Sequence, residues 1–151
     1  MKALKSILVF ALGLVCTLAL AQSSLKETVA AGNKVYVQIT NDLEHPIPAD
    51  EIEDVSREFA AAGEWVRVSE ASEADFILDV KARKKMVFNS PRTWLTPSVI
   101  DKDGNVLWEG DTYKADATMF NGYRATNTCI RKVIEKGFQN NLFKKAGRLP
   151  I

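Results

Sequence analysis

The sequence predicts an α+β fold: a two-layer mixed β-sheet with two helices on one face, in the order βαβββ(β)α. Three observations predict it. Lys34 to Thr40 alternates at period two, placing Val35, Val37 and Ile39 on one side of a strand. Two later stretches switch to helical spacing, with Ile52, Val55, Phe59 and Ala62 in the first and Ile130, Val133, Ile134, Phe138 and Leu142 in the second. Two β-rich runs, Leu95 to Ile100 and Val106 to Trp108, flank a short Asp/Gly loop at Asp101 to Asn105 and form a hairpin. Each helix has a single apolar stripe, so both most simply cover the same side of one sheet and leave the other side bare.

The elements follow in chain order. Lys2 and Lys5 precede an apolar run from Ile7 to Leu20, and Ala19-Leu20-Ala21 gives the small-x-small pattern of a cleavage site. Residues 1–21 are therefore expected to be a cleaved signal peptide, its apolar run being shorter than a spanning helix prefers. Cys16 follows Val15 rather than a small residue, which argues against lipid attachment there. Residues 22–33, polar and small, are expected as a flexible segment with at most a weak helical turn. Residues 34–151 form a single α/β domain. After the first strand, the prolines of the 41–48 stretch make a loop, and Asp50, Glu51, Glu53 and Asp54 suit the positive end of a helix that Gly63 stops. Trp65 to Val68 is a short second strand, expected parallel to the first through the intervening helix. Asp75 to Val80 alternates again, and the pattern runs on towards Phe88 before Asn89-Ser90-Pro91-Arg92 breaks it. Thr112 to Lys114 extends the last strand. The final helix is expected to be capped by Thr126 or Asn127, with Gly137 allowing a close approach to the sheet and Gly147 ending it.

Composition bounds the function. The 151 residues suffice for one domain, and 46% hydrophobic content excludes a disordered chain. With 20 Lys+Arg against 19 Asp+Glu, there is no electrostatic case for nucleic-acid binding. Removal of the leader leaves 19 acidic and 18 basic groups. It also leaves Cys129 as the lone thiol, which is either buried or paired between chains. No later segment is apolar and long enough to span a bilayer.

A search for chemistry returns little. His45 is the sole histidine, which excludes a metal site built on two of them and leaves no base for Cys129. No metal or cofactor is expected. Asp101-Lys102-Asp103-Gly104 begins like a calcium loop, yet its glycine is fourth rather than sixth, so the segment reads as a turn. Asp75 and Asp79 share a strand face but stand about 13 Å apart, too far to share a proton. Lys81, Arg83, Lys84 and Lys85 make one dense basic run, either a possible anion patch or charges that block unwanted strand pairing. Tyr36 and Trp65 oppose the apolar side of their strands, as Ile77 opposes Phe76 and Leu78. These three are the expected binding residues of the open sheet face.

The strand Ala74-Asp75-Phe76-Ile77-Leu78, the hairpin Val99 to Trp108 and a closing amphipathic helix together resemble a pattern of small bacterial envelope proteins. The stretch from Lys34 to Leu142 is similar to the amino-terminal α/β domain of TolB and to periplasmic lipoprotein domains of outer-membrane assembly. The resemblance implies a non-enzymatic binding or assembly role and brings no catalytic residues. The expectation is an exported, periplasmic or extracellular accessory domain whose partner is another envelope protein or a second copy of itself. The alternatives are a small hydrolase using Asp75, Asp79, Asp101 or Asp103, and a secreted inhibitor or effector.

Overall fold

A computed structural model describes residues 24–148, so the expected signal peptide at 1–21 lies outside the described residues. The chain forms a six-stranded mixed sheet with its helices on one side. The strands are β1 (Lys34–Asn41), β2 (Val66–Arg67), β3 (Phe76–Val87), β4 (Ser90–Ile100), β5 (Val106–Glu109) and β6 (Tyr113–Asp116). Their lateral order is β2-β1-β3-β4-β5, with β6 also paired to β4. β1 runs parallel to both β2 and β3, and the remaining pairs are antiparallel. Helix α1 (Ala49–Ala62) links β1 to β2. Helix α2 (Ala125–Lys132) runs into a π-helical stretch (Val133–Leu142) and a last α turn (Phe143–Lys145).

Period-two alternation puts Val35 of β1, Phe76, Leu78, Val80 and Ala82 of β3, and Leu95 and Val99 of β4 on the helical side. The helices meet them with Val55, Phe59, Ile130, Val133 and Phe138. Phe59 and Phe138 lie edge to face at 5.1 Å, which fixes both helices on the same side of the sheet. In the π-helical stretch, Val133, Phe138 and Leu142 are spaced by five and four residues, and this wider repeat keeps all three fully buried.

Several local expectations change. Trp65 is not on the open face. It is only 5% exposed, its Nε1–H donates to the Val29 carbonyl at 3.0 Å, and its ring packs on Phe76, Phe138 and Phe143. β2 is two residues long and begins after Trp65, so alternation inferred from Val66 and Val68 does not govern the indole, and Val66 is the exposed residue. The 22–33 segment is no tail where it is described. Residues 24–28 form a helical turn that buries Leu25 and Val29 in the core. Gly63 ends α1 with an ordinary right-handed φ of −87°, and Glu64 takes the left-handed position at φ 55°. Glycine is needed at 63 for space, because an added Cβ would lie 2.2 Å from the Trp65 ring. Gly137 does allow a close approach, its missing Cβ facing the Tyr113 ring. Thr126 is not a cap. It sits inside α2, buried, where its hydroxyl donates to Glu51 Oε2 at 2.6 Å and accepts from Thr93 at 2.9 Å.

The β3–β4 hairpin is the element least visible in the sequence. Eleven residue pairs hold it, from Ile77↔Ile100 to Val87↔Ser90. Its two-residue loop, Phe88-Asn89, has positive φ at both positions (49° and 64°), as a type I′ turn requires. β4 contains Pro91 and Pro97, each lacking an N–H. Pro97 faces the gap between β5 and β6, where the ladder is already interrupted and only the Gly110 N–H bonds to its carbonyl.

Trp65→Ala is expected to cost about 3–5 kcal/mol through the cavity it leaves, and Gly63→Ala about 1–3 kcal/mol through overpacking against the indole. Urea unfolding followed by circular dichroism measures both, and a wild-type midpoint for Gly63→Ala would refute the steric role of Gly63.

Candidate binding surface on the open sheet face

The side of the sheet away from the helices is covered by no described element. Strand register lays its residues out in rows. Tyr36, Ile77 and Ile100 stand side by side across β1, β3 and β4, all half-buried, and form an apolar band at one end. Gln38, Asp79, Ser98 and Glu109 make the next row, where Asp79 Oδ1 accepts the Thr40 hydroxyl at 2.8 Å. Then come Thr40, Lys81 and Thr96, followed by Arg83, Trp94 and Lys114. A shallow cavity of about 330 Å³ lies along this part, lined by Thr40, Lys81, Arg83, Trp94, Thr96 and Thr112 among others. The last row holds Lys85, Arg92 and Asp116, with Arg92 Nε and Nη2 gripping both oxygens of Asp116.

Of the three residues expected on this face, Tyr36 and Ile77 lie adjacent on it and Trp65 belongs to the core. Sequence reasoning missed Ile100 and Trp94. Carrying the alternation of β4 back from Val99 through Leu95 to Thr93 places Trp94 on the bare side, but the break read at Asn89 to Arg92 and the open register of the hairpin leave Trp94 without a face in the sequence. Trp94 carries the Arg83 guanidinium 4.2 Å above its ring centre, a cation–π contact that occupies one face of the indole.

The basic run divides by the same period-two rule. Lys81, Arg83 and Lys85 point to the open face, while Lys84 points to the helical side and ion-pairs with Glu51. The four do not form one anion site. Cys129 is fully buried in the core, where its Sγ–H donates to the Tyr113 carbonyl at 3.2 Å and burial pushes the thiol up to about 12. An intermolecular disulfide through Cys129 would require α2 to lift off the sheet.

Of the carboxylates expected for hydrolysis, Asp75, Asp79 and Asp101 serve as local braces. Asp75 accepts the Lys34 backbone N–H at 2.8 Å, which, with Lys102 nearby, holds it below the ordinary carboxylate range. Asp101 is lowered first by the Asn105 backbone N–H, then by the Asn105 side chain and the Asp103 amide, and so closes the β4–β5 turn. The cavity beside Asp101, about 220 Å³, is lined by that carboxylate alone of the four. Among the described residues, no group of three or more His, Cys, Asp or Glu could hold a metal ion. No described helix is long and apolar enough to cross a membrane. A larger groove, about 480 Å³, opens between α1 and α2 over Ile130 and Ile134, rimmed by charges of both signs including Asp54, Arg57, Glu58 and Glu135. Its lining contains no Ser, Thr, Cys, Lys or His.

No family model matches the chain, and no curated protein matches it. Solved structures share its fold. The PelC dodecamer from Paraburkholderia phytofirmans is 25% identical over 68% of this chain and 86% of that one, with a TM-score of 0.52. Uncharacterized lipoprotein B from Nitrosomonas europaea is 9% identical over 76% of this chain and 89% of that one, also at 0.52. The α+β fold is thus one that a bacterial lipoprotein and the PelC dodecamer also have.

Two predictions follow from these environments. In the chain lacking residues 1–21, Cys129 should react with a disulfide reagent only as fast as the protein opens, so labelling under native conditions should be slower than in denaturant by orders of magnitude. Asp75, Asp101 and Asp116 all have folded values below their unfolded ones, Asp116 because of Arg92. Their stabilisation is present above the unfolded carboxylate range, about pH 4, and is lost as pH falls through the folded values. The urea midpoint should therefore fall between about pH 6 and pH 3, and Asp101→Asn should flatten that fall.

Proposed function

We propose that this chain is an exported, non-enzymatic accessory protein of the bacterial envelope that docks further copies of itself, or another envelope protein, through the open face of its sheet. The observation that carries the reading is the band Tyr36–Ile77–Ile100, three neighbouring apolar side chains on a sheet surface that no described element covers. A bare apolar band on a sheet is the feature that marks partner surfaces. The likeness to the PelC dodecamer supports self-association as the form this docking takes, and the resemblance to TolB and to outer-membrane assembly lipoproteins supports the envelope setting. Export rests on the leader-like residues 1–21.

In this reading the two ends of the face act differently. The apolar band supplies the desolvated centre of an interface, and the rows from Lys81 to Lys85 supply a polar and cationic rim that sets orientation. Trp94 sits within that rim, in the Arg83 row, with its guanidinium partner already in place, so it enters the interface with little loss of side-chain freedom.

Light scattering on the chain lacking residues 1–21 tests the reading, together with crosslinking in the native cell. The expected result is a mass several times that of one chain, falling to a single chain in Ile77→Asp and Ile100→Asp while their far-ultraviolet circular dichroism is kept. A wild-type protein that stays monomeric at high concentration and captures no envelope protein in the cell would overturn it.

A further inference from the structure

A second surface lies away from the open face, at the end of the sheet where β3 and β4 turn. Large apolar side chains are exposed at Leu43, Met86, Phe88, Met119, Phe120 and Tyr123. They come from the end of the β3–β4 hairpin and from two loops that hydrogen bonds bring beside it. Ser90, which closes the Phe88-Asn89 turn, donates to the Ala117 carbonyl at 2.6 Å, and the Ala117 N–H bonds to the Pro91 carbonyl at 2.8 Å. The 119–123 loop therefore starts beside the hairpin turn. On the other side, the His45 carbonyl accepts the Lys84 N–H at 2.9 Å, bringing the loop with Leu43 alongside β3.

The two phenylalanines are almost wholly in solvent, Phe88 at 99% and Phe120 at 95% exposure. Phe88 also holds a left-handed φ, a position where Gly or Asn costs less. Neither the packing nor the turn geometry accounts for an aromatic ring there. The 119–123 loop is braced: Thr118 N–H bonds to the Asn121 side chain at 2.8 Å, and the Asn121 amide bonds to the Asp116 carbonyl at 2.8 Å. Phe120 thus projects from a hydrogen-bonded loop, and Phe88 from the tight turn of a fully paired hairpin.

We propose that this end of the sheet inserts into the interface of a lipid bilayer that contains anionic lipid. The shape favours a bilayer over a protein partner. The rings are the tips of projecting loops, which would need a matching cavity on a protein but enter a fluid interface without one. Aromatic and methionine side chains suit the boundary between headgroups and acyl chains. Cations stand directly behind them. Among the described residues, Lys85 and Arg124 have no carboxylate partner, whereas Lys84 and Arg92 are neutralised by Glu51 and Asp116. Asp42 and Glu44 are the acidic groups of the neighbouring loop, and the Asp42 carboxylate is turned inward onto the amides of Glu44 and His45. The electrostatic attraction is therefore modest, and apolar insertion provides most of the binding.

The inference does not rest on the open-face reading, because Phe88 and Phe120 lie outside that apolar band. Flotation with vesicles tests it, using the chain lacking residues 1–21 so that the apolar leader cannot itself bind lipid. Wild type should float with vesicles of phosphatidylethanolamine and phosphatidylglycerol, and less with phosphatidylcholine alone. Phe88→Ser combined with Phe120→Ser should reduce flotation by more than about tenfold, given the free energy of burying two aromatic rings. Lys85→Glu combined with Arg124→Glu should abolish the preference for the anionic vesicles. Because Phe88 and Phe120 are in solvent, thermal melting of the double serine variant should match wild type. Phe120→Trp should add fluorescence that brominated acyl chains quench. Wild type remaining lipid-free with anionic vesicles would overturn the proposal. So would equal flotation of the double serine variant. So would loss of oligomer mass in that variant without any wild-type flotation, since the loops would then bind protein.

Discussion

The ring of Phe138 is the point on which the architecture depends. It meets Phe59 of α1, Trp65 before β2, Trp108 of β5 and Phe143 of the last helical turn, with centroids 5.1–6.3 Å apart. One side chain thus ties both helices and both halves of the sheet together from a single side. The contacts with Phe59, Trp65 and Trp108 are edge to face; such contacts contribute beyond the area they bury, and they demand defined ring positions. With all the large aromatics of the core committed to one side, no described element remains to cover the other. The bare sheet face is a consequence of where the aromatic cluster sits.

A second, polar bridge sets where the helical layer ends. Glu51 on α1 takes Lys84 of β3 with one carboxylate oxygen and the Thr126 hydroxyl of α2 with the other. Because Thr126 donates to that carboxylate, the hydroxyl of Thr93 must be the donor in their mutual bond. Four elements are joined at the amino-terminal ends of both helices. β3 and β4 continue beyond this bridge to Val87 and Ser90. The hairpin therefore overhangs the helices, and Met86 and Phe88 at its end stand in solvent. The ordered but exposed Phe88 turn follows from that overhang.

The parts legible in the sequence were those in which a single period governs a long run. Lys34 to Thr40, the stripe from Ile52 to Ala62 and the Asp101 turn all lie where local pattern and tertiary packing agree. The rest failed for identifiable reasons. Trp65 belongs to no run long enough to have a face, since the strand after it spans two residues. The first half of β4 was hidden by Pro91, which the strand tolerates because the β4–β6 ladder ends at Arg92, and that is a tertiary fact. The Phe88-Asn89 turn lacks the glycine that usually announces it. The segment around Leu25 and Val29 has too few apolar residues to look folded, yet Val29 is completely buried and its carbonyl accepts from both Trp65 and Arg148. On the candidate surface, Tyr36 and Ile77 were recoverable from alternation, while Trp94 depended on a strand that local rules rejected.

The open face and the projecting end have different orientations, and that difference makes them compatible. Strands run lengthwise towards the Phe88 turn, so a bilayer met by that turn would lie across the end of the sheet and leave its broad face upright beside it. Copies that associate side by side in a closed ring share one rotation axis and present equivalent points at the same height along it. If that axis parallels the hairpin, every Phe88 and Phe120 pair reaches the same plane together. Each pair alone binds lipid weakly, but a ring of them binds as one multivalent body, because the first insertion raises the effective concentration of the rest. Self-association through the sheet face would then strengthen a lipid attachment that each chain already makes, and a variant confined to the single chain would float with vesicles less strongly with its phenylalanines intact.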